Sequence, residues 1–158
     1  DITSINYIAA EYLANSEKEI TLITNMPSIT THFNKNSKVD IIMIGGEYNK
    51  KVGGNVGSEA INYIKRYNVD KAFIGSAGID LEAEKVMNFE LNDGNTKKEI
   101  MKISKKIFLV TEYKKLGILG SYKFSNLSDF DVFICEKDKK DYLENYKKIF
   151  DECEVKII

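Results

Sequence analysis

The sequence predicts an α/β domain with a mainly parallel central sheet flanked by helices and a small antiparallel excursion. Three observations carry this. Short apolar runs alternate along the chain with segments of helical periodicity. Several of those runs stop abruptly at glycine or a small polar residue, the way a buried parallel strand delivers its C-terminal end to a ligand crevice. The fullest case is KAFIGSAGID, Lys71 to Asp80, where the run breaks into Gly75 and Gly78 around Ser76 and Ala77. Third, the 158 residues show no internal repeat and no break in composition. One domain of that length buries roughly 70% of its unfolded surface and needs no disulfide or metal.

Taken in order, Ile5, Ile8, Ala9, Tyr12 and Leu13 recur at helical spacing behind an N-cap at Thr3 or Ser4. Thr21 to Thr24 reads as a short buried strand ending at Asn25. Pro27 suits the first turn of a short helix carrying Ile29 and Phe33. Ile41 to Ile44 is the next strand, stopped by Gly45 and Gly46. A loop with Gly53, Gly54 and Gly57 follows, then a helix capped by Ser58 with Ala60, Ile61, Ile64 and Tyr67 on one face. Ala72 to Gly75 is the central strand. In Val86 to Leu91 the apolar Met87, Phe89 and Leu91 alternate with polar residues, which marks a half-exposed strand beside the sheet. Lys97 to Lys105 is predicted helical, Ile107 to Thr111 a buried strand, and Gly117 to Gly120 a flexible stretch. Val132 to Cys135 is a strand. Tyr142, Leu143, Tyr146, Ile149 and Phe150 mark an amphipathic helix, and Val155 to Ile158 a last strand.

Charge and motifs narrow the function classes. Net charge is −1 with acids and bases interspersed, so the chain carries no electrostatic footprint for nucleic acid. No apolar segment is long enough to span a membrane and no signal peptide is visible. Cys135 and Cys153 lack metal-type spacing and are expected to be reduced thiols of a cytoplasmic protein. GxGxxG, GxxxxGK[ST] and GxSxG are all missing, which argues against dinucleotide, Walker-type and elbow-hydrolase sites. No cofactor or metal is expected, and His32 reads as a surface residue.

Strand ends converge on one edge of such a fold. They bring Asn25, Gly45 and Gly46, the Gly75 to Asp80 segment and Glu112 to Lys115 to a common crevice. Gly75 and Gly78, lacking Cβ atoms, would let backbone N–H groups approach a ligand closely. Asp1, Thr3 and Ser4 open the first helix, where free N–H groups favour an anion; a plain N-cap is the competing reading. Lys97 shares a face with Ile100, Met101 and Ser104, so at a helix's first turn it either meets an anionic ligand or snorkels to solvent. Lys115 is a loop lysine, a cation partner or simply solvated. Asp80 either reads sugar hydroxyls, serves as a base, or closes a turn.

Together these anchors resemble the C-terminal sensor domain of DeoR-type bacterial transcription regulators. The matching pieces are LITN (Leu22 to Asn25), IGG (Ile44 to Gly46), Gly57, DKAFIGSAGID (Asp70 to Asp80), Lys97, LVTEYKKLG (Leu109 to Gly117) and FSNLSDFDVFI (Phe124 to Ile134), in the family's order. The resemblance implies a fold similar to ribose-5-phosphate isomerase and the coenzyme A transferases. It implies a phosphorylated sugar or related metabolite as ligand, a homodimer or tetramer, and operator DNA bound only through an N-terminal winged helix-turn-helix. That segment and the family's first strand are expected upstream of Asp1, leaving residues 1 to 158 as a single effector-sensing domain. Two departures stand out. The family's Asp-x-Gly-Thr-Thr loop is Asp1, Ile2, Thr3, Ser4, Ile5 here, and its usual Asp before the Lys-Phe-Gly segment is Glu112.

The expected function is effector binding and oligomerisation in a transcriptional regulator, not catalysis. Its ligand set is Asp1, Thr3, Ser4, Asn25, Gly75, Gly78, Asp80, Lys97 and Lys115. Phosphate would sit on the first helix with Lys97 and Lys115, while Asn25 and Asp80 read hydroxyls. Lys97→Ala is expected to abolish binding and leave the unliganded fold intact. The alternatives are a sugar-phosphate isomerase or deaminase of the same fold, with Asp80 and Lys97 as reacting groups, and an oligomerisation module whose site has decayed.

Overall fold

The computed structural model describes residues 1–136 and 143–158. Helix α1 (Ser4–Ala14) starts behind Thr3 as N-cap. Strands β1 (Ile20–Thr24) and β2 (Val39–Met43) follow, joined through a 3-10 turn, Pro27–His32, with proline in its first turn. β1 and β2 pair in parallel, Ile20 opposite Val39 through Thr24 opposite Met43. The glycine-rich stretch expected as a loop folds into an antiparallel hairpin of β3 (Glu47–Asn49) and β4 (Gly54–Val56). Helix α2 (Ser58–Ile64) has Gly57, not Ser58, at its N-cap; φ of 89° there suits glycine.

β5 (Val69–Ile74) enters a parallel four-stranded sheet with β8 (Ser104–Val110), β10 (Val132–Ile134) and β11 (Lys156–Ile157), in the spatial order β11-β10-β8-β5. Between them run β6 (Gly78–Asp80), β7 (Lys85–Asn88) and helix α3 (Leu91–Lys102). β7 lies between β6 and β9 (Tyr122–Asn126), antiparallel to both. The excursion expected at Val86 to Leu91 is present but its strand stops at Asn88, because Leu91 opens α3, and it is larger than one strand, since Tyr122–Asn126, just beyond the stretch with Gly117 and Gly120, supplies β9. Helix α4 (Lys147–Glu152) covers the end of the sheet. Tyr142, expected on that helix, lies outside the described residues.

The apolar runs form the main core, with Ile74, Leu109, Phe133 and Phe150 fully buried across β5, β8, β10 and α4. A second cluster of Ile44, Ala60 and Ile64 packs α2 beside β1 and β2. Each of these Ile, Leu and Phe side chains buried from water contributes about 1.5–3 kcal/mol.

Two helices depart from expectation for identifiable reasons. In α1 the buried residues are Asn6 and Ala10, while Ile8 and Tyr12 are 54% and 78% exposed. Asn6 turns inward because its amide donates to the carbonyls of Asp1 and Phe73, at 2.8 and 2.9 Å. In α3 the helix begins at Leu91, so Lys97 sits in its middle and not in its first turn. Asp93, Gly94 and Asn95 are weak helix formers and hide that start in the sequence. Gly94 is required there because a Cβ would meet the Tyr122 ring at 2.6 Å. Ser104, placed on the same helix face by the sequence, already belongs to β8.

Candidate functional site

The start of α1, the end of β5, the Asn88–Glu90 segment, the first half of α3 and the turn holding Lys115 enclose one cavity of about 450 Å³. Ile2, Thr3 and Ser4 form one wall, Gly75 to Ala77 another, and Asn88, Asp93 and Lys97 the floor. Lys51 and Lys115 stand on the rim.

Lys97 is the keystone of the floor. It is 2% exposed, and its ammonium donates to both carboxylate oxygens of Asp1 at 2.9 and 2.7 Å and to the Ile2 carbonyl at 3.3 Å. Asp93 Oδ2 lies 3.4 Å away, one helical turn back on α3. Burial pushes the Lys97 ammonium below the usual lysine range, while the Asp93 carboxylate opposes that shift. Asp1 Oδ2 also accepts the Gly75 N–H at 2.8 Å. The network thus pins the chain entering α1 against the end of β5 and the middle of α3.

Asp93 is 3% exposed. Its Oδ2 accepts the Asn88 amide at 2.6 Å, and Asn88 Oδ1 in turn accepts the Phe89 N–H at 3.1 Å. Asp93 Oδ1 is buried with no hydrogen-bond partner among the described residues; the same holds for Thr3 Oγ1 on the opposite wall. Buried polar atoms are paired as a rule, and one left open in a cavity wall marks where a ligand or water completes the bonding.

The rim carries the accessible charge. Lys115 is 24% exposed, with Glu112 3.9 Å away. Its ammonium is pushed below the usual lysine range by burial, against the Glu112 carboxylate. Glu112 also binds Lys114 and accepts the Ser4 hydroxyl at 3.1 Å; its carboxyl is held below the ordinary value by the Lys114 hydrogen bond above all. Lys51 is 80% exposed and pairs with Glu90 at 3.3 Å.

Of the residues predicted from sequence, Thr3, Ser4, Gly75, Lys97 and Lys115 line this cavity, and Asp1 lies directly beneath it. Asn25, Gly78 and Asp80 do not line it. Asn25 follows β1 and its amide donates to the Asn55 carbonyl at 3.0 Å, while its Oδ1 is buried with no hydrogen-bond partner among the described residues. Asp80 ends β6, where Oδ1 accepts the Ala83 N–H at 3.0 Å and closes a turn. The glycines serve the chain's own packing. A Cβ on Gly75 would lie 2.5 Å from that of Thr3, and one on Gly78 would run into the Ile118 carbonyl. Sequence reasoning missed Asp93 and Asn88. The signal was present in Asp93, four residues before Lys97, a spacing that places an acid and a lysine on one helix face.

Comparison with known proteins agrees with this architecture. The family model described as the DeoR C terminal sensor domain matches residues 1–137. The chain is similar to the HTH-type transcriptional repressor GlcR of Bacillus subtilis, 27% identical over 119 residues, which cover 75% of this chain and 45% of that protein. It is 24% identical over 132 residues to the glycerol-3-phosphate regulon repressor of Escherichia coli, covering 84% of this chain and 52% of that one. An HTH-type transcriptional regulator of Haemophilus influenzae is 30% identical over 128 residues, 81% of this chain and 49% of its own length. The chain spans about half the length of these relatives.

Proposed function

This chain belongs to the DeoR C-terminal sensor domain family, and on that premise we propose that its cavity binds a phosphorylated sugar or related small phosphate. Membership makes it an effector-binding regulator domain rather than an isomerase or deaminase, in keeping with relatives that are repressors.

The observation that carries the ligand class is the pairing of an anion-favouring wall with a hydroxyl-favouring floor in one cavity. The wall is the N-terminus of α1, whose first N–H groups have no partner within the helix, beside the open Thr3 hydroxyl and the Lys115 ammonium. Phosphate belongs there and not on Lys97, whose charge is already met by Asp1 and Asp93. Ser4 and Ser76 complete the phosphate side, since the Gly75 and Ala77 N–H groups are already given to Asp1 and to the Met87 carbonyl. Asp1 acts beneath them through Lys97 and Gly75. Asn25 bonds β4 through Asn55, Gly78 packs in β6 against Ile118, and Asp80 closes a turn at Ala83.

Occupancy would be relayed by favouring one arrangement of the whole regulator over another. A coupling of about 1–3 kcal/mol is ordinary for such devices. In this reading residues 1–158 are the sensor unit of a longer cytoplasmic regulator, working as a homodimer or tetramer that contacts operator DNA through a separate winged helix-turn-helix. Among the described residues no helix is long and apolar enough to cross a membrane.

The test is calorimetric titration with glycerol-3-phosphate, glucose-6-phosphate, fructose-1-phosphate and inorganic phosphate. Binding of a sugar or polyol phosphate, weakened by Lys115→Met, supports the reading. No heat and no thermal stabilisation from any of them at millimolar concentration rejects it in favour of a decayed site.

A further inference from the structure

We infer that Asp93 is the specificity-determining residue of the cavity, accepting a hydroxyl or ammonium hydrogen from the ligand. The inference rests on the phosphate-binding reading above and says which second group the ligand must carry. Three observations support it.

First, Asp93 is a built acceptor. It lines the cavity, is 3% exposed, and its two oxygens are in unlike states. Oδ2 is held by the Asn88 amide at 2.6 Å and faces Lys97 at 3.4 Å, whereas Oδ1 has no partner among the described residues. An ionised carboxylate only accepts, so the missing partner has to be a donor.

Second, the neighbours fix the carboxylate in place. Asn88 is itself 6% exposed and anchored to the Phe89 N–H, so the Asn88–Asp93 bond cannot swing away to free Asp93 for another partner. Preorganised acceptors of this kind discriminate, because a ligand lacking the donor leaves a buried charge unsatisfied.

Third, the local charge favours a donor. Asp1 and Asp93 face Lys97, and burial lowers the neighbouring Asp1 α-amino group to about 5, so near neutral pH the floor carries an excess negative charge. It repels a second anionic group on the ligand and welcomes a hydroxyl or an ammonium. A phosphate at the α1 wall and a donor at Asp93 therefore describe a polyol phosphate or an amino-alkyl phosphate. A simple alkyl phosphate or a dicarboxylate does not fit.

The experiment is a set of matched pairs titrated calorimetrically into the full chain. Glycerol-3-phosphate is compared with propyl phosphate, and phosphoethanolamine with ethyl phosphate; in each pair only the donors differ. At least one donor-bearing ligand is expected to bind about 10–100-fold more tightly than its partner, the range of a charge-assisted hydrogen bond. The pair that shows the preference tells hydroxyl from ammonium. Equal affinity within both pairs overturns the inference and leaves phosphate binding standing, whereas no binding by any of these four phosphates, nor by glucose-6-phosphate or fructose-1-phosphate, removes the underlying reading itself.

The variant Asp93→Asn sharpens the result. Asn88 must still donate, so the new amide oxygen takes the Oδ2 place and the new NH₂ takes the Oδ1 place, reversing the polarity at unchanged shape. The within-pair preference is expected to collapse toward one. A preference that persists in a folded Asp93→Asn protein overturns the inference. Should that variant fail to fold, the wild-type pairs alone decide.

Discussion

Lys97 and Lys115 line the same cavity, yet the two regions are built for different purposes. Lys97 sits at the floor with its ammonium ringed by Asp1, Asp93 and the Ile2 carbonyl. Lys115 stands on the rim, a quarter exposed, and among the described residues its ion-pair partner is Glu112 at 3.9 Å. A buried lysine persists only where its charge is met, and meeting it ties down the groups that do so. A rim lysine keeps a hydration shell that a ligand anion can replace. Identical side chains thus divide into one that holds the cavity together and one that can answer its contents.

Removing the floor lysine should have the largest effect. Lys97→Met leaves the Asp1 and Asp93 carboxylates buried without their cation, and stability should fall by about 3–5 kcal/mol, read by urea unfolding. This reverses the expectation from sequence that Lys97 could be lost without harm to the fold. An unchanged unfolding midpoint would erase the distinction between the two lysines.

Next in size is Gly75→Ala. The new methyl would meet Thr3 at 2.5 Å and displace the entry to α1. A loss of about 1–3 kcal/mol is expected, together with weaker phosphate binding because the α1 wall moves. A variant as stable as the parent would show that this wall yields easily and is not preorganised.

Lys115→Met sharpens the comparison from the other side. Stability should stay within about 0.5 kcal/mol of the parent, while affinity for glycerol-3-phosphate drops about tenfold, roughly 1.4 kcal/mol. The reverse pattern, lost stability with retained affinity, would make the rim lysine structural after all.

The smallest effect concerns acid. Glu112 is held below its ordinary value of 4.5, chiefly by Lys114 and further by Ser4. A carboxyl with a lowered folded value contributes stability that is complete above the ordinary value and is lost as pH falls from there through the folded value. Wild type should therefore lose slightly more stability than Glu112→Gln as pH falls below 4.5. Parallel acid curves for the two would disconnect Glu112 from the start of α1.

Much of the fold was legible from periodicity. The runs at Thr21–Thr24, Ala72–Gly75 and Ile107–Thr111 became β1, β5 and β8 because continuous apolar segments of that length have few other places to go. The hairpin β3–β4 and strand β9 were not legible, since their short, glycine-flanked, polar segments acquire strand geometry only from partners. The site was half legible. Thr3, Ser4, Gly75, Lys97 and Lys115 carried recognisable signals, whereas Asn25 bonds β4 through Asn55, Asp80 closes a local turn and Asp93 went unnoticed.

By itself the sequence determined the alternation of strands and helices and the kinship with DeoR-type sensor domains. Those follow from local propensity, burial and the order of short motifs along the chain. Only the tertiary structure decided which polar groups are already satisfied and which remain open. Hydrogen bonding is a matter of distance across the fold, so Lys97 finding Asp1 and Asp93 keeping one bare oxygen are facts of three-dimensional neighbourhood.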